Sequence, residues 1–403
     1  MAFVALGQGK MFKNFLPALF HLFIYVAFII TQIELFEILI DGFSGKHRSI
    51  SPYLGGFYTF LISIIEILSV FAFIATIVFL SRRNIIKVKR FQKPEMKGWA
   101  FKDANFILLG EILLILGIFT ANSSDLVLQV RIPEEYHHTG RFAVSTILAD
   151  NMFASISTET LKLLERIGWW LHVMVVFGFI VYLTISKHLH LIFSFINTYF
   201  APAGPRGKME NMPVIMNEVK SMMGFGEASQ NSDEAEIPEF GANDLKGLTW
   251  KNILDAYTCT ECGRCTAACP ANQTGKKLSP RKIMMDVRDR AEEIGNKLAS
   301  KEEQYIAEQF KGEGVNLNPK NFNDGNSLFD YISDEEIFAC TTCNACVEEC
   351  PVLINPLDII LQLRRYRILN DSAGPSDWMP MFTSLENSGC VWQMQDLREQ
   401  WTR

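Results

Sequence analysis

The residues able to do chemistry are the cysteines: there are nine, and eight of them fall in two runs of identical spacing. Cys259, Cys262, Cys265 and Cys269 are spaced C-x2-C-x2-C-x3-C and are followed by Pro270. Cys340, Cys343, Cys346 and Cys350 repeat that spacing and are followed by Pro351. This is the spacing of bacterial ferredoxin segments that hold [4Fe–4S] clusters. Three closely spaced thiolates wrap three irons of one cube, and in two-cluster proteins the fourth ligates the other cube. The expected ligand sets are therefore Cys259, Cys262, Cys265 and Cys350 for cluster 1, and Cys340, Cys343, Cys346 and Cys269 for cluster 2. Structural zinc sites also use C-x2-C pairs, but the third closely spaced cysteine and the trailing Cys-Pro depart from the zinc pattern. A disulfide framework is disfavoured because the runs fall in a segment expected to be cytoplasmic. Cys390 stands alone near the C-terminus and reads as an ordinary thiol.

The elements that must carry these runs divide sharply. The first half of the 403-residue chain is apolar, rich in Phe and Ile, while the second half holds every cysteine. Four apolar stretches, at about 15–40, 56–80, 104–121 and 167–200, are long enough to be membrane helices. The first contains Glu34 and Glu37, has no small-residue cleavage site and exceeds a signal-peptide core, so it is expected to be retained. The loop after the second stretch carries Arg82, Arg83, Lys87, Lys89, Arg90, Lys93, Lys97 and Lys102. By the positive-inside rule that loop is cytoplasmic, and four spans then put both termini there as well. Residues 122–166 face outward, and His47, His137 and His138 fall in outer loops, where solvated surface is the default reading.

Residues 201–247 are rich in Pro, Gly, Met and acids and read as a linker. From 248 to 370 the chain reads as a helical domain built around the cysteines. Ser279-Pro280 marks a helix start ahead of 281–299, and a second helix is expected over 301–310. Residues 371–403 form a loop-rich tail for docking or closure, with Trp378, Trp392 and Trp401. The net charge of −6 gives no reason to expect a nucleic acid as partner.

Ionisable residues inside apolar spans call for a functional explanation. His21 lies near the inner end of the first span, His172 near the outer end of the fourth and His190 near its inner end. In one continuous helix His172 and His190, eighteen residues or about five turns apart, share a face, but roughly 27 Å separates them. His21 and His190 can instead meet across two helices and hold one haem b. Hydrogen-bonded interfacial histidines are the other reading. Glu34, Glu66 and Glu111 point either to a proton route beside a quinone, with Glu34 and Glu66 as candidate catalytic groups, or to hydrogen bonds between helices.

Leu19-Phe20-His21 and Trp170-Leu171-His172 with Ser186-Lys187-His188-Leu189-His190 resemble the haem helices of nitrate reductase gamma-type cytochrome b subunits. That family holds two b haems, and the resemblance implies that His21 and His190 ligate the inner one and His172 the outer one. The fourth ligand position falls on Thr31. The stretch from Leu248 through Tyr257-Thr-Cys259 to Ser279-Pro280-Arg281 is similar to membrane-bound heterodisulfide-reductase-like iron–sulfur oxidoreductases, including those of the electron-transfer-flavoprotein:menaquinone oxidoreductase type. Such proteins usually continue into cysteine-rich CCG domains. None is found here, so the resemblance implies a separate CCG-domain subunit, with electron transfer flavoprotein as a possible donor.

The expected fold class is mainly α: a four-helix transmembrane cytochrome b-like bundle and a cytoplasmic α-helical ferredoxin-like domain. The expected activity is that of a quinone-linked oxidoreductase subunit in a bacterial inner membrane. It would use two [4Fe–4S] clusters, haem b and a menaquinone-type quinone, with membrane lipid as its surroundings. A cluster-bearing redox sensor and a structural anchor subunit are the two alternatives.

Overall fold

The computed structural model describes residues 1–204, 207–209, 211–225, 240–312, 315–392 and 402. The described residues are mainly helical, with no strand. The chain divides into two compact units, Gly7–Leu189 and Met1–Leu6 with His190–Arg403.

The Gly7–Leu189 unit is built on α1 (Phe15–Ser44), α2 (Gly56–Asn84), α3 (Trp99–Arg131) and α4 (Thr158–Tyr182). All are long and apolar enough to cross a membrane. The 30 residues of α1 extend over roughly 45 Å, more than a bilayer's ~30 Å hydrocarbon core. Polarity in this unit is inverted relative to a protein made for water. Phe28, Ile29, Ile33 and Phe36 of α1 are exposed, while Glu34, Glu37, Glu66, Asp103 and Asp125 are buried. Side chains of that kind must find partners inside the bundle, because lipid offers none.

The helices approach most closely at two glycines. A Cβ on Gly168 of α4 would come 2.6 Å from the Gly117 carbonyl and 2.7 Å from the Ala121 amide of α3. Small residues at such a crossing let backbones touch. Gly168→Ala is expected to destabilise the unit by about 1–3 kcal/mol, the usual cost of overpacking. Gly178→Ala, on the same helix with nothing near its Cβ, should be neutral in the same thermal unfolding assay in detergent.

The fourth span differs from expectation. It starts earlier, at Thr158, behind Ser157, whose side chain accepts the Thr160 amide. It ends at Tyr182, and Ser186 is extended (φ −119°, ψ 152°). Asp103 of α3 imposes that break. It accepts the Tyr182 hydroxyl at 2.7 Å, the Ser186 hydroxyl at 2.6 Å and the Lys187 amide at 3.1 Å. Lys187 Nζ donates to the Ala100 carbonyl at 2.8 Å. His190 opens a separate helix, α5 (His190–Tyr199). The helical phase therefore does not run from His172 to His190, and the expectation that they share one face is corrected.

The second unit continues with α6 (Pro213–Met222), α7 (Trp250–Thr258), α8 (Arg264–Ala268) and α9 (Pro280–Ser300). It ends with α10 (Asp334–Phe338), α11 (Ala345–Glu349), α12 (Pro356–Leu369) and α13 (Met379–Ser388). Its core joins Ile283 and Val287 of α9 to Ile359 and Leu363 of α12, all fully buried. α6 lies where a linker was expected, and the acidic stretch 233–239 lies outside the described residues. The helix expected over 301–310 is absent. Lys301 is left-handed (φ 57°) and ends α9; beyond it come two short turns, and the backbone there pairs Ile306 with Phe322. Trp378 sets its ring edge-on to Phe338 and Phe382, closing the tail onto α10. Trp392 is exposed, and Trp401 lies outside the described residues.

Candidate metal centre

The two cysteine runs fold alike. Cys259 closes α7, Gly263 is left-handed (φ 70°), α8 carries Cys265, and Cys269 comes directly after it. In the second run Asn344 takes the place of Gly263 (φ 61°), α11 carries Cys346, and Cys350 comes directly after it. Glu261 and Thr342 also match, with φ of 56° and 55°. Positive φ is costly away from glycine. Its recurrence at equivalent positions shows one backbone wrap made twice, a wrap that turns successive side chains toward a common interior. Each run leads into a proline-started helix: Ser279 caps α9 ahead of Pro280, and Asn355 caps α12 ahead of Pro356.

The thiols group across the runs. Cys350 lies in the electrostatic surroundings of Cys259, Cys262 and Cys265. Cys269 lies in those of Cys340 and Cys346, and these three line one cavity with Cys343, Leu278, Pro280, Leu357 and Ile360. Among the described residues no three His, Cys, Asp or Glu converge to hold a single ion. A four-iron cube, by contrast, takes one thiolate at each iron.

Electrostatics fit the same donors. Burial pushes the Cys259 thiol up to about 11, and those of Cys346 and Cys350 up to about 12. Thiols so buried ionise when a metal supplies the positive charge. The Thr342 amide donates to Cys340 Sγ at 3.4 Å and the Ile354 amide to Cys350 Sγ at 3.3 Å. Arg364 donates to the Cys340 and Ile337 carbonyls, setting a cation beside the second group. Such amide and charge contacts to sulfur tune cluster potentials. Cys390 is half-buried and outside both groups.

The histidines and carboxylates singled out in the spans are scattered over several elements. His21, partly buried on α1, has Nδ1 3.2 Å from Gln8 Oε1. His172 is buried, and its Nδ1 donates to the Leu114 carbonyl of α3 at 3.1 Å. Thr31 turns its hydroxyl onto the Phe28 carbonyl of its own helix. His190 stands at the first position of α5. Glu66 accepts the Val144 and Ser145 amides at 2.8 and 3.0 Å, tying the loop after α3 to α2. Glu34 accepts the Asn122 amide at 3.2 Å and lies 3.9 Å from Arg48. Glu111 is partly buried on α3.

One cluster escaped the sequence reading. Arg48, in the short connection between α1 and α2, is buried. It donates to Asp125 (3.1 Å), to the Tyr58 hydroxyl (3.1 Å) and to Asn122 Oδ1 (2.6 Å). Tyr58 in turn donates to Glu37 at 2.6 Å. His47 Nε2 lies 2.7 Å from Asp125 Oδ1, and His47 Nδ1 lies 3.2 Å from His137 Nδ1. His47 and His137 are therefore not simply solvated, and Asp125 belongs to α3 rather than to an outer loop. The signal was a His-Arg pair directly after one span and an acid nearly two turns inside the end of another.

Residues 258–354 match the 4Fe-4S dicluster domain family. The chain is 29% identical, over 98% of its length and 53% of the relative's, to a probable iron–sulfur-binding oxidoreductase, FadF, of Bacillus subtilis. It is 27% identical, over 96% of its length and 51% of the relative's, to an EtfAB:quinone oxidoreductase of Syntrophomonas wolfei. It is 32% identical, over 36% of its length and 21% of the relative's, to a probable membrane-anchored ferredoxin of Chromohalobacter salexigens. The chain thus spans about half the length of the first two relatives. No solved structure matches it. The described residues are mainly helical, and the four membrane-length helices together with the match to a 4Fe-4S dicluster domain support a redox role at a membrane, carried by [4Fe–4S] clusters.

Proposed function

We propose that the chain passes electrons between a cytoplasmic donor and the membrane quinone pool. What supports the reading above all is the interleaving of two ferredoxin-type cysteine runs in a domain continuous in sequence with four membrane-length helices. Cys259, Cys262, Cys265 and Cys350 would hold one [4Fe–4S] cluster, and Cys340, Cys343, Cys346 and Cys269 the other. Bound there, the clusters supply one-electron transfer at low reorganisation cost. The protein's own part is to hold the thiolates rigid and to set their surroundings with amides and Arg364.

His21 and His190 are the residues we assign to a haem b, with His172 for a second haem. The His172 Nδ1–H donated to Leu114 leaves the Nε2 lone pair outward, the tautomer of a metal-ligating imidazole. Glu34 stands in the polar network and is assigned to proton handling. Glu66, engaged with two backbone amides, serves that role through its other oxygen or holds the loop. A menaquinone-type quinone is the substrate of this reading, and the relative named for EtfAB and quinone favours an electron transfer flavoprotein as donor. A CCG-domain iron–sulfur partner completes the route. The basic 82–102 loop orients both termini and the cluster domain toward the bacterial cytoplasm.

The test is a dithionite-reduced minus oxidised optical spectrum of the purified protein, with iron and haem counted per chain. The expected result is one haem b and about eight non-haem irons, four per cluster. Intact clusters without haem would remove His21 and His190 from the route. Protein loaded with zinc in place of iron would overturn the reading altogether.

A further inference from the structure

The Gly7–Leu189 unit contains a cavity of about 390 Å³ at the end where α1 leaves and α2 begins. That volume lies within the ~300–1,000 Å³ range of small-molecule sites. Its walls are of two kinds. Ile38 of α1, Ile118 of α3 and the indoles of Trp169 and Trp170 of α4 form an apolar, aromatic side; the larger part of the wall is polar, with His47, Arg48 and Asp125 among further acidic and basic side chains. We propose that this cavity binds a quinone headgroup and that His137, His47 and Asp125 form the proton path to it. The inference rests on the quinone reading above and gives it a location and a relay that the sequence did not indicate.

The chemistry is complementary. A quinone is a flat ring with apolar faces and two carbonyl oxygens. The indoles offer the faces a stacking wall, and Ile38 and Ile118 extend that wall along membrane-length helices, where an isoprenoid tail is at home. The polar part of the wall is polarised in one direction. Arg48 fixes Asp125 Oδ2 at 3.1 Å. His47 Nε2 lies 2.7 Å from Asp125 Oδ1 and His47 Nδ1 lies 3.2 Å from His137 Nδ1, so with His47 neutral and its proton on Nε2 facing Asp125, His47 Nδ1 accepts the Nδ1–H of His137. His137 Nε2 is then the bare end, a buried nitrogen with no hydrogen-bond partner. Burial holds the His137 imidazole below the ordinary histidine range, which favours the neutral ring that such a relay needs.

Each passage along the chain balances. A proton reaching His137 Nε2 from the aqueous side sends the Nδ1 proton to His47, and the His47 Nε2 proton moves to Asp125, which donates it to a carbonyl oxygen. The two rings then return to their first tautomers. Two passages, with two electrons from the cluster domain, convert the quinone to the quinol. In the opposite direction the same path releases two protons.

The experiment uses the full-length protein in detergent with menadione as probe. Menadione is expected to quench the tryptophan fluorescence saturably, and Trp169→Phe/Trp170→Phe should abolish the saturable part. Gly42→Leu, whose Cβ would already stand 3.0 Å from the Trp169 ring, should weaken binding at least tenfold, with iron content unchanged as the folding control. His137→Gln should keep the quench and the KM while lowering kcat for menadione-driven reoxidation of dithionite-reduced clusters at least tenfold, with recovery on adding imidazole. A merely structural His137 would leave kcat intact in the glutamine variant, and that result overturns the relay. Reoxidation by menadione that is unaffected by Gly42→Leu and accompanied by no saturable quench overturns the site while the quinone reading stands. Neither quench nor reoxidation removes both.

Discussion

Cys350→Ser is expected to leave one [4Fe–4S] cluster where the wild-type protein holds two, dropping non-haem iron from about eight to about four per chain. The informative comparison is between two double variants. Under interleaved ligation Cys350 belongs with Cys262, so Cys350→Ser/Cys262→Ser damages the same cluster twice and still leaves about four irons. Cys350→Ser/Cys343→Ser damages both clusters and leaves close to none. If each run held its own cube, the two outcomes would exchange. The expectation rests on the surroundings of the thiols: Cys350 feels Cys259 and Cys262, and Cys346 feels Cys269. Iron assay and low-temperature EPR of the reduced proteins decide it.

Arg290→Ala is expected to cost the cluster domain about 3–5 kcal/mol, as when one partner of a buried ion pair is removed. Arg290 is fully buried. It donates to Asp244 at 3.1 and 2.7 Å, to Asp324 at 2.7 and 2.8 Å, and to the Asn326 carbonyl at 3.0 Å. Lys297 adds a donor to Asp324 at 2.8 Å. The guanidinium thus pins α9 to the strand-free stretches at 244 and 324–326. Burial alone would raise Asp324, but the hydrogen bonds from Arg290 and Lys297 hold it well below the usual carboxylate range. A carboxyl depressed in the folded state contributes stability above its unfolded pKa of about 3.9, and that stability is lost as pH falls below it. Arg290→Ala should therefore move acid unfolding of the domain to higher pH. Thermal bleaching of the cluster absorbance at pH 7 and pH 4.5 measures both effects. A variant as stable as wild type at both pH values would show that Asp244 and Asp324 find other partners.

The parts of the molecule readable in advance were those whose signal is local. Cysteine spacing fixes the wrap of a run, Ser279-Pro280 marks the start of α9, and unbroken apolar stretches mark the four spans. The parts missed depend on partners distant in sequence. The break after α4 looks like continuing helix until Asp103 takes the Ser186 and Lys187 groups that would have continued it. His47 reads as loop surface until α3 brings Asp125 to it. Residues 301–310 carry helical composition, yet Lys301 turns left-handed and the backbone of Ile306 is spoken for by Phe322.

The crossed thiol groups also bear on how the protein is made. A nascent chain that has emerged through Cys269 exposes three thiols of the first group but lacks their fourth member. That member arrives after α9, α10 and α11 have been synthesised. Any cube delivered early would sit on an incomplete set of thiolates, open at one corner to exchange. With the clusters ligated as proposed, iron loading would be tied to completion of the segment through Cys350, and a product stalled within α9 would not mature into a partly functional carrier. The two-run arrangement would then act as a checkpoint on translation, releasing a redox-competent domain all at once.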